Sequence, residues 1–181
     1  MKIYVMRHGT TVWNEKGITQ GRTNNRLSSG GKELTETVAD KTKDIKFDII
    51  YSSPLMRTMQ TANIINKYHN VKIIKDNRLI EIDQGIFTGR SKDDITEEEK
   101  KLKFARSEKC GMESYQRAYD RTKDFVAELI QTCKFDTVLI ITHNVNASFV
   151  EDILKGVIVD FENANHVRSF NNAEMKCFDV K

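Results

Sequence analysis

Thr137-Val138-Leu139-Ile140-Ile141-Thr142-His143-Asn144 is the stretch that decides the architecture. Its unbroken apolar run is strand-sized and lacks polar alternation, the pattern of a central strand covered on both faces. Polarity returns abruptly at Thr142-His143-Asn144, and Ala147, Val150 and Leu154 continue at helical spacing. The same beat recurs on either side. Ile3 to Met6 is a short apolar run that ends at Arg7-His8-Gly9-Thr10. Asp48-Ile49-Ile50-Tyr51 reads as a second strand and runs into Ser52-Ser53-Pro54. There Ser53 is placed to cap a helix with Pro54 in its first turn. Leu55, Met59, Ala62 and Ile65 form that helix's inner face.

Val71 to Ile74 predicts a third strand, and Asn77 to Ser91 an irregular stretch. Residues 14–30, rich in Asn, Gly, Thr and Ser, read as a loop. Leu34, Val38 and Ile45 give a modest helical stripe within 31–45. Segment 93–107 sets Glu97-Glu98-Glu99 against Lys100-Lys101, the pattern of a solvated helix. Tyr115, Ala118, Thr122, Phe125 and Leu129 predict a long helix over 113–132. Residues 166–180 alternate as two edge strands around Asn171-Asn172. Strands alternating with helices predict an α/β fold, a three-layer α/β/α sandwich on a mostly parallel sheet, and one domain over 1–181.

Composition narrows the function classes. The chain has 181 residues and a net charge of +3, with 39% hydrophobic and 30% charged residues and one Pro, which excludes collagen-like and strongly disordered classes. No apolar run approaches the ~20 residues of a membrane span, and no basic stripe marks a nucleic-acid surface. Cys110, Cys133 and Cys177 are far apart and form no CxxC pair, which suits reduced thiols in a cytoplasmic protein. The opening residues carry no signal-peptide core.

In parallel sheets, ligands bind outside the carboxyl ends of the strands. Three strands here end in polar groups: Arg7-His8-Gly9, Ser52-Ser53-Pro54 with Arg57, and Thr142-His143. Two guanidiniums and two imidazoles converging on one edge make an anion site, and arginine's planar fork suits phosphate oxygens. Asn14 and the Gln20-Gly21-Arg22 loop add donors at the rim. No P-loop cradle is present. His69, at a helix end, and His166, in a turn-like stretch, lack metal-ligand spacing and read as structural or surface residues.

These residues carry a family resemblance. Arg7-His8-Gly9-Thr10-Thr11-Val12-Trp13-Asn14 resembles the Arg-His-Gly motif of the histidine phosphatase superfamily, which includes the cofactor-dependent phosphoglycerate mutases. Leu27-Ser28-Ser29-Gly30-Gly31 is similar to its Leu-Thr-x-x-Gly element. Tyr51-Ser52-Ser53-Pro54-Leu55-Met56-Arg57-Thr58-Met59-Gln60-Thr61-Ala62 follows Ser-Ser-Pro-Leu-x-Arg-x-x-Gln-Thr-Ala almost residue for residue. Leu79-Ile80-Glu81-Ile82-Asp83-Gln84-Gly85, Gly111-Met112-Glu113-Ser114 and Thr142-His143 match later elements in order. Thr10 stands where an acidic residue is commoner, and Asn144 where the family usually has Gly.

The resemblance implies a phosphohistidine on His8, with Arg7, Arg57 and His143 holding the phosphoryl oxygens. Glu81 would protonate the leaving group and then activate water. That role wants a raised carboxyl pKa, which nearby arginines oppose, and the sequence leaves the balance open. Asn14, Gln20, Gly21, Arg22 and Asn144 are the substrate-binding candidates. No metal or cofactor is called for. Residues 90–110 contain Arg90 and Arg106 but no adjacent Arg pair of the kind that holds a mutase's acid substrate. That short cover, in a short chain, favours hydrolysis, since a phosphoenzyme that meets water is a phosphatase. The expectation is an acid-phosphatase-type phosphomonoesterase of the superfamily's short branch. Its partner would be a small phosphorylated metabolite, with no nucleic acid or membrane, in a monomer or homodimer. Mutase-type phosphoryl transfer is the alternative, and a non-catalytic phosphate-binding module a more distant one.

Overall fold

The computed structural model describes residues 1–91, 93–106, 108–161 and 169–180. Five strands form one sheet: β1 (Lys2–Arg7), β2 (Ile49–Ser52), β3 (Lys72–Lys75), β4 (Thr137–Thr142) and β5 (Met175–Asp179). Their order is β3-β2-β4-β1-β5, so the apolar run at 137–142 is the central strand. β2–β3, β2–β4 and β1–β4 pair in parallel, and β5 alone runs antiparallel, against β1. The helices are α1 (Val12–Glu15), α2 (Ser29–Thr42), α3 (Met56–Asn66), α4 (Glu97–Phe104), α5 (Tyr115–Thr132) and α6 (Asn144–Leu154).

Side-chain alternation along the strands divides the core. Ile3, Val5, Ile49, Val138 and Ile140 pack with Phe125, Val126 and Leu129 of α5 and Ala147 and Val150 of α6. Met6, Ile50, Leu139 and Ile141 face the other way, onto Ala39 of α2 and Ala62 and Ile65 of α3. Strands covered on both faces explain why β4 shows no period of two.

Several boundaries differ from the sequence expectation. α2 turns Gly31, Thr35 and Ala39 inward, while Leu34 is exposed. The cause is a close approach: a Cβ at position 31 would sit 1.9 Å from the Thr10 carbonyl oxygen. Only small residues let this helix reach the loop after β1. Ser53 does not cap α3. The helix starts at Met56, two residues past Pro54, and the Met56 N–H donates to Asn24 Oδ1 at 2.6 Å. Ser53 Oγ lies 2.8 Å from His143 Nε2 instead. The expected loop at 14–30 includes the end of α1, a helix opened by a Thr11–Asn14 capping box, and the first residues of α2. Of the two edge strands expected over 166–180, the described residues contain one, β5. The 169–174 stretch before it bonds to the end of β1 rather than forming a hairpin partner. His166 and the rest of 162–168 lie outside the described residues. Among the described residues, no helix is long and apolar enough to cross a membrane.

Candidate active site

Sheet register brings the polar strand ends together. Arg7 pairs with Thr142 and Ser52 with Ile141. One residue further on, His8 N–H donates to Thr142 O and Ser53 N–H to Ile141 O, each at 3.0 Å. Thr142 also donates its hydroxyl to Leu79 O at 2.8 Å, which fastens the loop bearing Glu81 to the central strand. The loop after β3 thus joins the ends of β1, β2 and β4.

His8 is 2% exposed, and its ring is fixed from both sides. Nδ1 lies 2.7 Å from Gly9 O, and Arg57 Nε donates to Nε2 at 3.2 Å. A carbonyl only accepts and a guanidinium only donates. The proton therefore sits on Nδ1, and Nε2 keeps its lone pair. Burial, then the Arg57 and Arg7 charges, hold the His8 pKa well below the usual imidazole value, against the pull of the Gly9 carbonyl. Gly9 N–H donates to Thr61 Oγ1 at 3.0 Å, which steadies that peptide.

Arg57 is fully buried. Besides His8, it donates from one terminal nitrogen to Thr23 O at 2.7 Å and from the other to Gly21 O at 2.9 Å. Burial, with Arg7 nearby, lowers its pKa to about 10, while Glu81 opposes the shift. Arg7 donates from Nη1 to Phe170 O at 2.5 Å, and its buried Nε has no partner among the described residues. Burial lowers the Arg7 pKa too, with Glu81 and Glu174 pulling the other way.

His143 caps α6 with its ring fully buried, 5.2 Å between centroids from His8. Its pKa lies well below the usual value through burial and then the Arg57 charge. Ser53 Oγ, which accepts a long bond from Leu55 N–H at 3.4 Å, lies 2.8 Å from His143 Nε2. Where the hydroxyl donates to Nε2, Nδ1 carries the imidazole proton. Nδ1 is buried without a hydrogen-bond partner among the described residues, and Glu81 Oε2 is 3.9 Å away. Two buried nitrogens, Arg7 Nε and His143 Nδ1, thus stand at one sheet edge with no hydrogen-bond partner among the described residues. Such groups are uncommon in a folded interior, and a catalytic role is one reason for them.

The balance at Glu81, open in the sequence, falls on the side of burial. Desolvation raises its pKa above the ordinary carboxylate range, although Arg57, the Ile82 N–H, Arg7 and Arg121 all pull it down. Ile82 N–H donates to Oε1 at 2.9 Å and orients the group.

The rim residues work mostly as scaffold. Arg22 Nε donates to Glu81 O at 3.1 Å, and its guanidinium pairs with Glu113 at 3.1 Å and Asp83 at 3.8 Å. Gly21 supplies the carbonyl that holds Arg57. Asn14 Oδ1 accepts from Thr11 N–H at 3.1 Å, and Gln20 Oε1 lies 2.9 Å from the Thr11 hydroxyl. Asn144 Oδ1 accepts from Phe170 N–H at 2.8 Å. Residues without an assigned role in the sequence also matter. Gln60 and Thr61 lay inside a recognised motif, and Gln60 Oε1 takes Leu27 N–H at 2.9 Å. Glu113, also in a motif, is bound by Arg121 at 2.9 Å and accepts from Asp83 N–H at 3.3 Å. Asn172, whose Nδ2 donates to His8 O at 3.2 Å, had no sequence signal. Among the described residues, no group of three or more His, Cys, Asp or Glu side chains could hold a metal ion.

Comparison with known proteins gives the fold and the family. The chain is 32% identical over 168 residues to phosphoserine phosphatase 1 of Hydrogenobacter thermophilus, covering 87% of this chain and 77% of that protein. It is 37% identical over 99 residues to a probable phosphoglycerate mutase of Escherichia coli, 55% of this chain but only 46% of that one. The solved alpha-ribazole phosphatase of Shigella flexneri has the same fold, with a TM-score of 0.87 at 22% identity over 100% of this chain and 91% of that chain. A mycobacterial glucosyl-3-phosphoglycerate phosphatase complexed with VO3 gives a TM-score of 0.85 at 22% identity, over 97% and 91%. The family model of the histidine phosphatase superfamily (branch 1) matches residues 3–179, and the chain belongs to that family.

Proposed function

We propose that this histidine phosphatase superfamily chain hydrolyses a small phosphate monoester through a phosphohistidine on His8. The carrying observation is the geometry of the His8 ring, with Nδ1 at 2.7 Å from Gly9 O and an unprotonated Nε2 that accepts from Arg57 Nε at 3.2 Å. A neutral, buried ring with a fixed lone pair is what nucleophilic attack on phosphorus needs.

In the first step Nε2 attacks phosphorus, the P–N bond forms and the ester P–O bond breaks. Glu81 gives its proton to the departing alkoxide. In the second step water attacks the phosphohistidine, Glu81 takes the water's proton, the P–N bond breaks and orthophosphate leaves. Arg7, Arg57 and His143 Nδ1–H offset the charge on the equatorial oxygens, the largest contribution in phosphoryl transfer. The upward shift of Glu81 suits the acid role, because a carboxyl protonated near the working pH is a better donor.

The mutase reading has one observation in its favour, the identity over 99 residues to a probable phosphoglycerate mutase. The arginines of the covering segment speak for hydrolysis. Arg90 is committed to Glu99 and Asp94 O, and Arg106 to Asp83 O, Gln84 and Glu113 O. Neither is left to grip a substrate carboxylate. The test is phosphate release from a panel of esters, with and without chelator. Phosphoserine belongs in the panel because of the name of one relative, beside p-nitrophenyl phosphate, a sugar phosphate, a phosphoglycerate and a nucleoside monophosphate. Chelator-insensitive release is expected. No release from any ester, or isomerised product with little free phosphate, overturns the reading.

A further inference from the structure

We infer that Asn144 is a positioning residue that aims the Arg7 guanidinium through the backbone of Phe170. The inference rests on the anion-holding role proposed for Arg7. Asn144 is the first residue of α6, directly after His143. Its Oδ1 accepts the Phe170 N–H at 2.8 Å, and the carbonyl of the same Phe170 accepts from Arg7 Nη1 at 2.5 Å. One residue is therefore gripped on both sides, by the end of β4 and by the end of β1. Its ring is fully buried in the core shared with α5 and α6.

The rest of the 169–174 stretch is anchored without Asn144. Arg7 N–H donates to Glu174 O and Ala173 N–H to His8 O, each at 3.1 Å, and Asn172 Nδ2 donates to His8 O at 3.2 Å. Ala173 sits at φ 60, a left-handed conformation unusual for a residue with a Cβ. Such a conformation persists where neighbouring bonds over-determine it. These contacts hold the backbone beside His8, whereas the Phe170 carbonyl lies four residues before Glu174, and the side chain that fixes its residue is Asn144. A guanidinium is planar, so pinning Nη1 sets the direction of its other N–H groups, including the unpaired Nε. Loss of the Asn144 oxygen removes the bond that fixes the Phe170 peptide, although its ring stays packed in the core and under Lys176, and a shift of that peptide by a fraction of an ångström redirects the fork.

The test is a double-mutant cycle between Asn144→Ala and Arg7→Lys. It is read as kcat/KM on p-nitrophenyl phosphate and, separately, as the dissociation constant of orthovanadate. Asn144→Ala alone is expected to lower kcat/KM and weaken orthovanadate by about tenfold, the scale of a slightly misplaced positioning group. In the Arg7→Lys background the same substitution is expected to change neither. Additive effects in the cycle overturn the inference. Should Asn144→Ala fail to fold by circular dichroism, Asn144→Ser, whose hydroxyl is too short to reach Phe170, replaces it in the cycle. A wild-type chain that binds orthovanadate but hydrolyses no ester sinks the proposed function, and the binding cycle still decides the role of Asn144. A wild-type chain that does not bind orthovanadate removes both.

Discussion

Arg57, His143 and His8, at the floor of the site, are 0%, 0% and 2% exposed, whereas α4, in the segment at its rim, buries no residue. The floor is made of strand ends whose polar groups bond to backbone: Gly9 O, Gly21 O, Thr23 O, Thr142 O and Ile141 O. The rim is held by side-chain pairs such as Arg90–Glu99 and Lys103–Thr19, over a small cluster of Phe87, Ile95, Cys110 and Met112. Backbone partners in a dry interior keep a group fixed, while solvated ion pairs are screened and form and break readily. The proposed function puts its chemistry on this floor, whose partners are backbone, and leaves access to the rim.

The sharpest way to break this comparison is His8→Asn. Turnover and covalent phosphate labelling are expected to fall by at least ~10³-fold with the circular dichroism spectrum unchanged. Retained activity would remove the floor's proposed role altogether. Arg57→Leu comes next, because it strikes both catalysis and structure. It leaves the Gly21 and Thr23 carbonyls without their donor, a loss of roughly 2–4 kcal/mol in a denaturant melt, with activity down by two or more orders of magnitude.

Glu81→Gln is expected to reduce kcat by about 10²-fold and to flatten the alkaline limb of the pH profile. In the wild type that limb reflects loss of the Glu81 proton as pH rises through its raised pKa, while His8 stays neutral well into acid. An alkaline limb unchanged in the variant would assign the acid elsewhere. Stability supplies a further contrast. His8 and His143 are both depressed in the folded chain, so the unfolded chain takes up protons first as pH falls below the ordinary imidazole value. Folded stability is full above that value and drops as pH falls toward the folded pKa values. Replacing both histidines with Asn should remove the part of the decline that begins there. Glu81 has the opposite sign, stabilising at low pH and losing its contribution as pH rises through its raised value.

The smallest effect is expected at the rim. Glu99, pulled down to about 2 chiefly by the hydrogen bonds from Arg90, keeps that pair intact through mild acid. Even so, Arg90→Ala should scarcely move the melting temperature, since exposed pairs add little. It should alter KM more than kcat; a large stability loss would erase the distinction between rim and floor.

Much of the fold was legible because burial on both faces leaves a direct trace in sequence. Val138 to Ile141 suited a central strand, and a parallel sheet would bring the polar residues after each strand to one edge, as the sheet order and register bear out for the strands. The inner face of α2 was misread because the helix is set by a close approach at Gly31, not by its larger apolar residues. Ser53 looked like a cap because its local spacing allows one, yet its hydroxyl is engaged by a histidine 90 residues away. Phe170 left no sequence signal, since it reaches the site through its own main-chain N–H and carbonyl, and Asn172 left none because its Nδ2 meets a main-chain carbonyl, His8 O, that any residue there would offer.

By itself, the sequence determined the α/β class with its mostly parallel sheet, the histidines and arginines placed at strand ends, and the motifs of the family. Tertiary structure alone decided which imidazole nitrogen of His8 is bare, that burial outweighs the arginines at Glu81, and that Asn144 reaches Arg7 through a backbone. Residue types and periodicity encode what a side chain is and which face it seeks. Tautomers, desolvation and backbone hydrogen bonds depend on distances between segments far apart in the chain, and those exist only once the sheet has brought the strand ends together.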